Sequence, residues 1–129
     1  MDGIQAFDPD LVTLPTDNFI GGRRVVGKGG EIEVRRPSDG RVAARFRGAD
    51  AQTVDQAVEN GWQAFKSADW ARGEPRRRGA VLRRWADLVE QHTEELAQLE
   101  SLSSSRVIAE TRIRDVAITA ELIRFYGEC

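Results

Sequence analysis

Cysteine is almost missing. Cys129 is the only one in 129 residues, so no internal disulfide can form and the chain suits a reducing compartment. Histidine is as scarce, with His92 alone. One His and one Cys far apart cannot supply a zinc site. Lysine is nearly replaced: of 19 cationic side chains only Lys28 and Lys66 are lysine, and the rest are arginine. No apolar run approaches the length of a membrane span. The opening "MDGIQAFDPDLVTLP" carries Asp2, Asp8 and Asp10 and no apolar core segment, so it does not read as a signal peptide. A cytoplasmic location is the resulting expectation. The net charge of -2 argues against a dedicated nucleic-acid binder, which is usually strongly basic.

What is present reads as globular and helix-rich: 40% hydrophobic and 31% charged residues. The length predicts one domain at most. Residues 1–17 read as an extended arm, because Pro15 and the early aspartates disfavour a helix. In "NFIGGRRVV", Gly21-Gly22 separates two short apolar runs, a two-residue hairpin signal. "GKGG" (27–30) predicts a second turn and "PSDG" (37–40) a third. Between them "EIEVRR" places Ile32 and Val34 on one face, and "RVAARF" places Val42, Ala44 and Phe46 together. Residues 18–47 therefore predict short antiparallel β-hairpins, in one small sheet of three or four strands.

From Asp50 the periodicity turns helical. Asp50 reads as an N-cap for a helix over about 50–67, with Val54, Val58, Trp62 and Phe65 as its stripe. A second helix is expected from Pro75 to about 102, with Val81, Leu82, Trp85, Leu88, Val89, Leu96, Leu99 and Leu102 on one face. Arg76, Arg77 and Arg78 then crowd the positive end of its dipole, and Glu94, Glu95 and Glu100 fall towards the negative end. Both placements are unfavourable. A third helix is expected over about 107–126. Val116, Ala117, Ile118, Ala120, Leu122, Ile123, Phe125 and Tyr126 cover nearly its whole circumference. A helix apolar all round must be covered on all sides, and three helices cannot do that.

Catalytic constellations are wanting. His92 reads as a structural or surface residue at the edge of an apolar face. "GGRRVVGKGG" lacks the P-loop pattern and no helix follows it directly; hairpin turns explain its glycines. "ARGEPRRRGAVLRR" packs six arginines into residues 71–84. Without interleaved aromatics it reads as a solvated or subunit-contacting face. Cys129 stands beside Glu128 and the terminal carboxylate, which disfavour a thiolate.

The order of these elements resembles the start of the NAD(P)-dependent aldehyde dehydrogenase superfamily, over residues 18–128. The motifs are Phe19-Ile20-Gly21-Gly22, Arg36-Pro37-Ser38-Asp39-Gly40, Thr53-Val54-Asp55-Gln56-Ala57-Val58, then Arg78, Val81, Leu82, Ala86, Asp87 and Leu88, and finally Arg124-Phe125-Tyr126. The resemblance implies an α/β family fold with a Rossmann-type cofactor domain, of which residues 18–129 are the incomplete N-terminal segment. It implies aldehyde oxidation to carboxylate by a cysteine thiolate and NAD or NADP in the full-length enzyme. The family's catalytic cysteine, glutamate and asparagine come later in the chain. No catalytic, cofactor-binding or metal residue is therefore expected among residues 1–129, and Cys129 is expected only to mark where this copy breaks off. Arg114 and Ile118 match by spacing the side chains that line the substrate tunnel in some members. The expected partner is the remainder of the fold or another chain, in an enzyme that is usually a homodimer or homotetramer; neither nucleic acid nor membrane is expected. The alternative is a non-enzymatic interaction module that binds through its third helix. Three departures stand out. Arg36 replaces the Asn of the family's Asn-Pro turn. Ser103 stands where a carboxylate contributes to a structural cation site in some members. Ser105 and Val107 replace a Gly and a Pro.

Overall fold

A computed structural model describes residues 7–129, with the backbone alone at 68 and 69. Residues 1–6 of the expected arm lie outside the described residues. The rest of the arm is a turn followed by strand-free chain. The described residues separate into two compact units. One comprises residues 7–13, 36–40 and 76–129; the other comprises 14–35 and 41–75.

The second unit holds four strands. β1 (Asn18–Ile20) and β2 (Arg23–Val25) pair antiparallel, with Ile20 opposite Arg23. Gly21 and Gly22 take φ of 59° and 76°, the mirror-image turn that matches strand twist and needs glycine. β3 (Glu31–Arg35) and β4 (Val42–Arg47) form another hairpin, with Ile32 opposite Phe46 and Val34 opposite Ala44. The strands form two separate two-stranded sheets rather than the single sheet that the sequence predicts. The reason lies in "GKGG". The Gly29 amide donates to the Gly48 carbonyl at 2.8 Å, and the Gly48 amide donates to Gly30 at 2.9 Å. Those glycines bind the far end of β4 and so are not a tight turn joining β2 to β3. The register also slips between Val34 and Arg35, leaving Ala43 unpaired as a bulge. Val42, Ala43 and Ala44 are consequently all half-buried, and the expected alternation is lost there.

α1 (Ala51–Lys66) follows. Asp50 caps it as expected: its carboxylate accepts from the Thr53 amide at 2.8 Å and from the Thr53 hydroxyl at 2.5 Å. Trp70 lies in a one-turn helix, α2 (Ala68–Ala71).

The expected second helix is two helices. α3 (Pro75–Gln91) ends at His92 and α4 (Thr93–Ser104) begins. His92 adopts φ -102° and ψ 23°, and the Thr93 hydroxyl donates back to the Glu90 carbonyl at 2.6 Å, a local bond that competes with the helical ladder. The break reverses the electrostatics. Glu94 and Glu95 occupy the first turn of α4, where the dipole favours carboxylates. On one continuous helix over 75–102 they would stand towards its unfavourable end.

The expected third helix is likewise interrupted. After α5 (Ile108–Glu110) comes one π-helical turn, Thr111–Asp115, and then α6 (Val116–Glu128). Thr111 is fully buried, and its hydroxyl reaches the carbonyls of Ala97 at 3.1 Å and Ile108 at 3.0 Å. Seating this polar side chain against α4 coincides with the wider turn. Small residues close the core. Ala86, Ala97 and Ala120 are fully buried, and Leu102 and Val116 are nearly so. A methyl at Gly79 would stand 2.5 Å from the Gly127 carbonyl, so the two backbones meet closely at that point.

Candidate functional site

α6 is the element with the strongest functional expectation, and two arginine clamps place it. Arg124 bonds Asp87 at 2.7 Å and Glu90 through both carboxylate oxygens, one at 2.7 Å. Arg112, on the π turn, makes a two-pronged bond to Glu94 at 2.7 and 2.6 Å. Such forks combine direction with charge. The Arg124 bond lowers the Glu90 pKa, and the Arg112 bond, with a smaller part from Gln98, lowers that of Glu94. Both arginines are held still more firmly in the charged form. Arg124 and Asp87 were visible in the sequence as separate motif residues. The structure joins them, so these motif residues anchor a helix.

Held this way, α6 turns Val116 and Ala120 inward and leaves Ile118, Leu122, Phe125 and Tyr126 exposed, Tyr126 by 67%. Phe125 and Tyr126 stack edge to face, with centroids 5.4 Å apart. Ile118 lies on this face. Arg114 is also exposed, but in the π turn.

Beside α6 runs a groove of about 530 Å³, lined by Trp85, Val89, Leu96, Glu100, Asp115, Val116 and Thr119. Asp115 meets the Arg106 guanidinium at 2.8 Å. The lining offers apolar surface and two carboxylates, with no thiol, imidazole or amine. His92 stands at the α3–α4 break, exposed, with its Nδ1 3.2 Å from Glu95, and Cys129 is exposed. Among the described residues no three His, Cys, Asp or Glu side chains gather in a way that could hold a metal, and no helix is long and apolar enough to cross a membrane. Ser103, at the position in question for a cation, uses its hydroxyl on the Glu100 carbonyl at 3.3 Å.

In the other unit, a groove of about 430 Å³ is lined by Val25, Lys28, Gln52, Thr53, Asp55, Gln56 and Glu59. It is the place to test for a dinucleotide, because it combines a lysine with the start of a helix. The residues do not fit. The Asp50 carboxylate already occupies the amide of Thr53, and its pKa is lowered chiefly by the Thr53 hydroxyl. A pyrophosphate would also face Asp55 and Glu59. No cofactor step is assigned to these residues. The outer face of α1 is apolar: Val54, Val58, Trp62 and Phe65 are each at least half exposed. Trp62 stacks on Phe65 at 5.6 Å, with the Lys66 ammonium 5.5 Å above the Trp62 ring.

A model of the aldehyde dehydrogenase family matches residues 25–129. Cytosolic 10-formyltetrahydrofolate dehydrogenase of Xenopus tropicalis is 32% identical over 117 residues, which is 90% of this chain and 13% of that protein. Betaine aldehyde dehydrogenase 2 of Rhizobium meliloti is 34% identical over 111 residues, 85% of this chain and 23% of the relative. Among solved structures, an indole-3-acetaldehyde dehydrogenase of P. syringae in complex with NAD+ and IAA superposes with a TM-score of 0.84 at 32% identity, over 93% of this chain and 24% of that one. The chain thus spans a quarter or less of the length of these relatives.

Proposed function

Because the chain belongs to the aldehyde dehydrogenase family, we propose that it is the N-terminal portion of an NAD- or NADP-dependent enzyme that oxidises an aldehyde to a carboxylate, and that these 129 residues perform none of that chemistry alone. The observation that carries this reading is that 93% of the chain folds as 24% of a solved aldehyde dehydrogenase. Two features support it. The arginine forks spend the motif residues Asp87 and Arg124 on holding α6. The exposed apolar faces of α1 and α6 suit burial under further protein.

In this reading residues 18–129 begin a cofactor-binding domain preceded by an arm over 1–17. Arg114 and Ile118 line part of the substrate tunnel, and the complete enzyme is a cytoplasmic homodimer or homotetramer. The test is aldehyde-dependent NADH or NADPH formation by the purified chain. No turnover is expected, and sustained turnover overturns the claim. In the complete enzyme, Ile118→Ala should change KM for bulky aldehydes more than kcat.

The same exposed face favours a second reading, an interaction module that binds a partner through α6. A monodisperse chain that unfolds cooperatively and binds a partner saturably supports that reading. A self-associating chain, dispersed by Leu122→Glu, supports the first.

A further inference from the structure

Arg36 is the one buried charged side chain among the described residues, at 4% exposure. It is also a departure from the family pattern that the proposed function leaves unused. Its Nη1 donates to Asp10 Oδ1 at 2.7 Å, and its Nη2 lies 3.0 Å from Asp39 Oδ2. Two proline turns present these carboxylates. In Asp8-Pro9-Asp10-Leu11 the Leu11 amide donates to the Asp8 carbonyl at 3.2 Å, and the Asp10 amide donates to the Asp8 carboxylate at 2.9 Å. Asp at the first position and Pro at the second are the preferences of a type I turn. In the second turn, Gly40 donates to the Arg36 carbonyl at 2.8 Å with φ of 71°. Both turns are locally braced before the guanidinium spans them.

We propose that Arg36 is an ionic latch that fastens the N-terminal arm to the 36–40 turn, with Asp10 as the arm's half of the latch. A buried guanidinium is tolerated only while paired, so removing one partner costs more than the pair itself contributes. The Arg36 Nε is buried without a hydrogen-bond partner, which makes the two carboxylates the more necessary. An Asn at position 36 carries no charge and could not close this contact. Asp10 is half exposed, so the latch opens from the arm side and leaves α3, α4 and α6 packed.

Hydrogen exchange of the peptide spanning residues 7–13 tests this in the wild-type chain, Asp10→Asn, Arg36→Gln and the double variant. Each single substitution should speed exchange there about tenfold or more, the scale of a lost charged hydrogen bond. Exchange in α3, α4 and α6 should stay unchanged in Asp10→Asn, and the double variant should exchange no faster than the more severe single. Three results overturn the latch: an arm already unprotected in the wild type, an arm as protected in Asp10→Asn as in the wild type, or effects that add. If Arg36→Gln unfolds the chain, Asp10→Asn decides alone.

Discussion

In the unit built from α3, α4 and α6, the buried apolar groups are three alanines, Leu102 and Val116, with Thr111 sealed among them. In the unit built from the hairpins and α1, Thr53 is the side chain buried among the described residues, while Val54, Val58, Trp62 and Phe65 stand in the open. The first unit closes by bringing backbones near each other and bolting them with Arg124 and Arg112. The second closes through backbone bonds between glycines and β4, and leaves the stripe of α1 facing outward, as the first leaves Leu122, Phe125 and Tyr126. Residue size explains the contrast. Small residues pack within one helical cluster, whereas large side chains, Trp62 and Phe65 on α1 or Phe125 and Tyr126 on α6, need a partner surface of their own size.

The largest expected break falls in the hairpin unit. A methyl at Gly27 would stand 1.9 Å from the Arg47 carbonyl and 2.4 Å from that of Gly48. Gly27→Ala should therefore cost about 3 kcal/mol, at the upper end of overpacking. Chemical denaturation measures it, and hydrogen exchange at Gly29 and Gly48 should rise first. In the helical unit, Thr111→Val removes the hydroxyl shared by Ala97 and Ile108 and should cost about 1–2 kcal/mol. An unchanged midpoint would mean that shape alone sets the π turn.

Acid should loosen both units. Glu90 and Glu94 have pKa values below their ordinary 4.5, and so does Glu33 through its hydrogen bond to Arg45; Asp50 lies below its ordinary 3.8. Each group adds stability above its unfolded value, and that stability is lost as pH falls through the lower folded value. Thermal midpoints should drop on acidification below about pH 4.5. Arg124→Gln should flatten the part due to Glu90 and leave the Glu33 part intact. The smallest effect has the opposite sign. Ser105 ends α4 with φ of 58°, a left-handed conformation that costs a residue with a Cβ about 1 kcal/mol. Ser105→Gly should stabilise the helical unit by about 0.5 kcal/mol, after the glycine's larger unfolded entropy is subtracted. A loss of stability would show that the serine's own contacts outweigh the strain.

Much of this was legible beforehand. The Gly21-Gly22 turn, the Asp50 cap and the apolar excess of residues 116–126 follow from local chemistry. His92 was less legible, because a continuous stripe from Val81 to Leu102 hides a break that barely changes which face is apolar. Thr93 followed by Glu94-Glu95 was the available signal, an acidic first turn in the middle of an expected helix. The π turn left a fainter trace, a lone threonine that must be buried.

Sequence alone determined the order of the strands and the main helical stretches, the Asp50 cap, the Gly21-Gly22 and 37–40 turns, and the family, because these rest on periodicity, backbone preference and motif spacing over short range. Tertiary structure decided the rest. It split the sheet in two when glycines chose β4 over a turn. It paired Arg124 with Asp87 across 37 residues and buried Arg36 between Asp10 and Asp39. Those choices depend on which distant groups meet, and no local pattern encodes a meeting.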